Sequence, residues 1–564
     1  MHLGFFFLLP LLSIPNIYAL PSDDCILLGP MFPAEFDITT TDAFRNAAES
    51  FPRAINSLFS NGTLNETGVT FAIDVFSTAT NNTIYSYYHS GSALDSYLST
   101  GDLNDNTMFR IGSVTKLFTV YAIIVHSGWQ IMEKGVVEIL PELKGNKGSD
   151  PLDRIVWEDI TVGALAAQLG GNGGPPFLDV MRDLKKPVAP AFATTLYSDS
   201  GFQVLGQVLQ RVTNLTFNEA IQKVLSKPLG LNSTSSFKPK DGETFNGLVL
   251  PGDEVTGYQD WGLDSQISAA SGGLYSTTRD LRMIGLAISN SQLLDPRVTR
   301  AWMKPRGHTG SLISSVGAPW EINRLALTIS ASSSRTRISD LYTKLGGQQK
   351  YATIFALSPD HKIGYSIMVA GDTAAGIDRF TLRNSVTEVF VQAAEHAAWE
   401  HAEKAFTGTF VDPETEGTNL TLTVDTDRPG LGLKEWFEEG VDIRANVSGS
   451  PALDADAQSF RLYPMGLVSE GPSSLLESYG SESSERKRMA WRARFQPKKL
   501  VAHSAVEGGQ GLFDNSRCEQ WASVDFLDLY SNGIGTDEFV LGLVDGRLET
   551  VEYRSTGMVL KRLE

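Results

Sequence analysis

A chain of 564 residues with 42% hydrophobic composition is longer than a single core usually grows, so at least two domains are expected. The formal net charge of −18 favours solubility and argues against a nucleic-acid partner, whose backbone demands clustered Lys and Arg. The one dense basic run, ERKRMAWRARF (485–495), reads as charge alternating along a strand.

The N-terminal run MHLGFFFLLPLLSIPNIYAL has an apolar region about as long as a signal-peptide core, followed by Ile17-Tyr18-Ala19 with small Ala19 placed for cleavage after it. Residues 1–19 are therefore expected to be a signal peptide and the mature chain to be secreted. Only His2 and the amino terminus supply positive charge, which leaves a membrane-anchored start open, although Pro10 and Pro15 interrupt the run. No other segment is long and apolar enough to span a bilayer, so no membrane contact is expected of the mature form. Asn61, Asn65, Asn81, Asn214, Asn232, Asn419 and Asn446 each open an Asn-X-Ser/Thr acceptor for glycosylation in that compartment. The two cysteines, Cys25 and Cys518, suit one long-range disulfide there, with two free buried thiols as the alternative.

VTFAIDVFS (69–77) and TIYSYYHSG (83–91) are β-branched and aromatic runs on either side of a short connection, which predicts a hairpin. From Ser113 the pattern turns helical and stays helix-rich up to GGLYSTTRDLRMIGLAISNS (272–291), where Ser276 or Thr277 is placed to cap a helix. Strands return with APWEINRLALTIS, KYATIFALSP and IGYSIMVAGD. A closing helix then sets Val386, Val389, Phe390, Ala393 and Ala397 on one face. Strands at both ends with helices between predict an α+β domain over residues 20–405, a sheet with helices on its faces. After about residue 406 short alternating runs such as LTLTVDT and SFRLYPMGL, and a turn at Asp545-Gly546, predict a separate β-rich C-terminal domain, 406–564. SEGPSSLLESYGSESSE (469–485) reads as an exposed loop within it.

FRIGSVTKLFTVYAIIV (109–125) carries a Ser-x-x-Lys whose spacing alone decides nothing, because the pattern recurs at Ser235–Lys238 and Ser484–Lys487 in polar surroundings. Context separates Ser113. An apolar lead-in ends at Gly112 and a buried helix follows, so Ser113 stands at a helix N-terminus and Lys116 holds its amine one turn on, over the same face. A lysine buried beside other cations loses basicity and can accept a proton near neutral pH. Further on, LYSDSGFQVLGQVLQRVTN (196–214) places Tyr197 in a turn before an amphipathic helix, and DLYTKLGGQQKYATIFALSP (340–359) places Lys344-Leu345-Gly346 at the edge of a strand.

These three elements, in this order, resemble the serine β-lactamase and penicillin-binding-protein superfamily, closest to its class C-like branch, which shows Ser-x-x-Lys, then Tyr-x-Asn, then Lys-Thr-Gly or a relative of it. The likeness extends to ITVGALAAQLGG, KPLGLNSTS and AASGGLYSTTRDL and spans roughly residues 40 to 400. CILLGPMFP, RCEQWASVDF and the β-rich tail look like the secreted fungal β-lactamase-like proteins with an added C-terminal domain. The resemblance implies a β-lactamase/transpeptidase-like fold, an antiparallel sheet flanked by helices plus a helical region. It implies that Ser113 forms an acyl-enzyme while Lys116 and Tyr197 pass the proton beside Lys344, and that the backbone N–H groups of Ser113 and Gly347 form an oxyanion hole. A tyrosinate at Tyr197 would need Lys116 and Lys344 to stabilise it. Asp199, Leu345 and Gly346 would face a small-molecule acyl substrate. No cofactor and no metal is implied.

Two positions depart from the pattern. Asp199 stands where the family usually has Asn, and Leu345 replaces the Thr of Lys-Thr-Gly. An ionised Asp accepts but does not donate, and Leu345 removes a hydroxyl suited to a substrate carboxylate. The expectation is an esterase, amidase or acyl-transfer enzyme rather than a penicillin hydrolase. An acyltransferase or thioesterase-like enzyme of secondary metabolism and an inactive binding protein on the same fold stay open. Asp199 itself either faces substrate or caps the helix beginning near Ser200. HTG at His308 comes too early for the third motif and reads as a loop, and His396 with His401 reads as helix surface.

Overall fold

The computed structural model describes residues 27–563 apart from 147–149, 151, 153, 172–177, 184–187, 241, 253–260, 263, 265–267, 427, 445–457, 471–475, 482–483 and 498–532. Residues 1–19, Cys25, Cys518 and Asn446 lie outside the described residues. The chain divides into two compact units. One comprises Gly29–Leu325 with Ser339–Lys404; the other comprises Ala405–Glu564 with Met1–Leu28 and Ala326–Ile338, the last holding the end of one strand and the start of the next in the sheet of the first unit.

In the first unit, the β-branched and aromatic runs become β1 (Thr70–Ser77) and β2 (Asn82–His89), with Asn81 in the left-handed turn between them. A short pair, β3 (Phe109–Arg110) and β4 (Tyr275–Ser276), brackets the helical region. The strands β5 (Gly307–His308), β6 (Ser314–Val316), β7 (Glu321–Thr328), β8 (Thr336–Gln348), β9 (Tyr351–Ser358) and β10 (Ile363–Ala370) follow. They join β1 and β2 in an eight-stranded sheet of order β2-β1-β10-β9-β8-β7-β6-β5. β1, β9 and β10 are buried along their whole length, so both faces of the sheet centre are covered, which explains their continuous apolar runs. Phe51 of the helix Asp42–Ser60 and Phe390 of the C-terminal helical stretch (379–405) meet Tyr85 of β2 with ring centroids 4.7–5.7 Å apart. The helix Thr278–Ser289, capped by Thr277, comes so close that a Cβ on Gly285 would lie 2.3 Å from Phe76.

The helix Thr115–Ser127, buried from Thr115 to Ile124, is the centre of the helical region and packs against the helix Asp199–Thr213. Its all-round apolar sequence fits a helix with no solvent face over that span.

In the second unit, β11 (Gly408–Val411), β12 (Asn419–Val424), β13 (Leu431–Glu438), β14 (Val441–Asp442), β15 (Gln458–Glu470), β16 (Arg486–Pro497), β17 (Glu538–Val544), β18 (Arg547–Tyr553) and β19 (Met558–Arg562) form one sheet. Its order is β12-β11-β19-β18-β17-β16-β15-β13-β14, and β12 also pairs with β13, which closes eight of the strands into a barrel. Trp436, Phe539 and Tyr553 pack inside with ring centroids 4.8–5.3 Å apart. The basic run forms β16, and its charges pair with acids of neighbouring segments, Arg488 with Glu552 and Arg492 with the buried Asp537. Asp545 and Gly546 both take positive φ and make the β17–β18 turn.

Several expectations are corrected in detail. Lys344 is inside β8 rather than at its start, because the strand begins eight residues earlier, at Thr336. His308 forms part of β5 at the sheet edge rather than a loop. Val389 is only half-buried, unlike Val386, Phe390, Ala393 and Ala397. His401 is half-buried, its ring stacked 4.1 Å from that of Phe36. Leu476 is buried within the segment expected to be an exposed loop.

Candidate active site

Gly112 takes φ +48°, a conformation glycine allows freely, and turns the chain from β3 into the single turn Gly112–Val114 that carries Ser113. Strand β8 runs hard against this turn. A Cβ on Gly346 would stand 2.0 Å from the Ile111 carbonyl oxygen and 3.1 Å from the Ser113 nitrogen, and one on Gly112 would stand 2.7 Å from the Gly347 nitrogen. Two glycines therefore bring the amides of Ser113 and Gly347 into one small region, as an oxyanion hole requires.

Lys116 is fully buried, and its Nζ lies 2.9 Å from Ser113 Oγ, 2.6 Å from Asp199 Oδ1 and 2.6 Å from the Ser271 carbonyl oxygen. Three acceptors match the three donors of a protonated amine. Burial, then the charge of Lys344, lower its pKa to about 8, while Asp199 and Glu321 work the other way.

Tyr197 shares a hydrogen bond with Ser113 through its hydroxyl. Its ring lies under two cations, with Lys116 Nζ 4.9 Å and Lys344 Nζ 5.4 Å from the centroid. The residue is 54% exposed, yet burial is the largest influence on its hydroxyl and raises its pKa above the usual tyrosine value. The hydrogen bond from Ser113 opposes that rise, and the charges of Asp199 and Glu321 add to it. The raised pKa favours the neutral phenol of Tyr197. Burial is the main reason, and the carboxylates of Asp199 and Glu321 add to it.

The second carboxylate is one that sequence reading missed. Glu321, first residue of β7, takes the ammonium of Lys344 on one oxygen and the Leu345 N–H on the other, the latter at 2.8 Å. Lys344 also donates to the Leu345 carbonyl at 2.8 Å. Only the pairing of β7 with β8 brings this acid of APWEIN to the third motif. Arg379, also missed, reaches the Gly346 carbonyl at 3.4 Å from Nη1.

Asp199 does not cap its helix. Ser198 does, accepting from the Gly201 N–H at 2.9 Å, and Asp199 as the first helical residue turns to Lys116 with its side chain still 62% exposed. Leu345 is half-buried and Gly347 exposed. His308 is exposed on β5, its ring within 3.2 Å of Ser315 Oγ. Among the described residues no group of three or more His, Cys, Asp or Glu is arranged to hold a metal ion.

Residues 80–388, more than half of the chain, match the sequence profile of the family described as Beta-lactamase. The chain belongs to the beta-lactamase family. Residues 398–564 of this beta-lactamase-family chain match a second profile, described as Beta-lactamase-like-like, C-terminal domain. The chain is 23% identical to the Beta-lactamase-like protein of Arthroderma benhamiae, covering 95% of this chain and 96% of that one. It is 26% identical to the Probable hydrolase M10 of Phoma sp., covering 70% of each. A solved structure titled as Beta-Lactamase/D-Alanine Carboxypeptidase from Pseudomonas syringae matches at 18% identity and a TM-score of 0.47, over 61% of this chain and 99% of that one.

Proposed function

We propose that this beta-lactamase-family chain is a serine hydrolase that works through an acyl-enzyme on Ser113, and that it takes an ester, amide or thioester with no carboxylate beside the scissile bond. One observation carries the reading: Ser113 Oγ sits 2.9 Å from the buried amine of Lys116 and shares a hydrogen bond with the hydroxyl of Tyr197. In the reaction the neutral form of Lys116 takes the Ser113 proton as Oγ attacks the acyl carbon. The oxyanion forms against the amides of Ser113 and Gly347, and the phenol of Tyr197 gives its proton to the leaving oxygen, nitrogen or sulfur and is recharged from Lys116. Water then attacks the acyl-enzyme and restores Ser113.

The charge set supports the substrate class. Lys116 and Lys344 each already hold a carboxylate, and the exposed face of Asp199 repels another. A matched pair of aryl esters, one neutral and one carrying a carboxylate next to the scissile bond, tests this. Faster turnover of the neutral ester, abolished by Ser113→Ala, is expected. Equal turnover of both would defeat the substrate class, and turnover retained in Ser113→Ala would defeat the mechanism.

We also propose a secreted glycoprotein with a Cys25–Cys518 disulfide. The exposure of Asn61, Asn65, Asn81, Asn214 and Asn232 supports it, while Asn419 is half-buried. Thiol titration of the unreduced, denatured protein is expected to find no free thiol. Two free thiols would remove the bridge.

A further inference from the structure

The two backbone N–H groups that flank Tyr197 end on a single residue. The Leu196 N–H donates to the main-chain oxygen of Gln168 at 2.9 Å, and the Ser198 N–H donates to Gln168 Oε1 at 2.7 Å. We infer that Gln168 is a positioning residue for Tyr197, setting the phenol against Ser113 and, through Ser198, the first turn that presents Asp199 to Lys116. The inference rests on the role proposed for Tyr197 and Ser113.

Tyr197 is 54% exposed, so packing alone does not fix where its hydroxyl points, and the backbone on either side of it must. Gln168 is an expensive choice for a mere loop residue. It lies just past the helix Val162–Ala166 at φ +62°, where the Leu169 N–H returns to the Ala164 oxygen at 2.8 Å. Helix ends of this shape favour glycine or asparagine, because a longer side chain is strained there. The side chain is also almost wholly buried, with residue exposure of 6%, and its Nε2 has no partner among the described residues. Strain and an unsatisfied buried donor both oppose stability. The bond the side chain makes in return is the one to Ser198.

Gln168→Gly separates the two roles, since glycine accepts φ +62° and keeps the main-chain bond to Leu196 while removing the side chain. Labelling rate by a neutral fluorophosphonate and melting temperature are to be measured for wild type, Gln168→Gly, Tyr197→Phe and the double variant. Gln168→Gly is expected to melt at or above the wild-type temperature yet label about 10- to 100-fold more slowly, because a small misplacement of a reacting group costs rate rather than stability. In the Tyr197→Phe background the same change is expected to cost about twofold or less, since groups that act as a unit are not additive. Labelling of Gln168→Gly at the wild-type rate overturns the inference, as does a full additional loss in the double variant. Gln168→Asn, which tolerates positive φ but is one methylene shorter, supplies the same readout should the glycine variant not fold. Failure of wild type to label, or wild-type labelling by Tyr197→Phe, would instead strike the proposed function.

Discussion

Lys116 and Asp199 decide how the site responds to pH. The neutral amine is the base, and its pKa of about 8 means that labelling of Ser113 is expected to rise with pH through about 8 and then level. Asp199 stabilises the ammonium, so Asp199→Asn removes that support and is expected to move the rise to lower pH. Labelling rates from pH 5 to 10 for both proteins check this, and a shift upward or none at all would remove Asp199 from the tuning of Lys116. Lys116→Ala and Tyr197→Phe are each expected to slow acylation by about 10²- to 10⁴-fold, with the double variant little worse than the slower single one. At this scale Ser113, Lys116, Tyr197, Asp199 and Lys344 stood out in the sequence through their resemblance to three motifs of the family, each a local run, and the structure gathers them around one hydroxyl. Glu321 and Gln168 did not stand out. One depends on which strand pairs beside β8, the other on a backbone conformation that no residue type announced.

Among the elements, hairpin β1–β2 and the helix Thr278–Ser289 were legible from period and capping, but not the ion pair that ties them. Arg282 of that helix bonds Asp74 in the middle of β1 and Thr83 of β2, with Asp105 3.5 Å away. Asp74 reads in sequence as an acid interrupting an apolar strand. Burial, against the opposing charge of Arg282, raises its pKa from 3.8 to about 6. A carboxyl whose folded-state pKa is raised favours the fold when protonated, so this contribution to stability declines as pH climbs from about 4 through about 6. Arg282→Leu strands the buried carboxylate and is expected to cost about 3–5 kcal/mol at pH 8, less at pH 5, with Asp74→Asn restoring part of the loss. Urea unfolding at both pH values measures it, and an equal cost at pH 5 and 8 would mean that Asp74 does not ionise in the fold. The buried chain Ser358–His361–Glu395, with both His361 bonds at 2.6 Å, has the order of a catalytic triad but is at most 4% exposed. It joins the β9–β10 turn to the helix Gln392–Ala405, so Glu395→Gln is expected to lower the melting temperature and leave Ser113 labelling unchanged.

At the scale of the whole molecule, the alternation of short strands after residue 406 made the β-rich C-terminal domain readable. Its closure was not, since the β12–β13 pairing that completes the barrel joins strands whose sequences say only that each has one buried face. The sheet of the first unit was readable as strands at both ends of a helical middle, while its order, with β1 between β2 and β10, comes from long-range pairing. What the elements of the first unit converge on is one serine with a buried amine beside it. The most direct test is intact-mass and peptide mapping after brief reaction with a neutral activated ester. A single acyl adduct on the peptide containing Ser113, absent from Ser113→Ala, is the predicted result. An adduct on another residue, or one that persists in Ser113→Ala, would contradict the account.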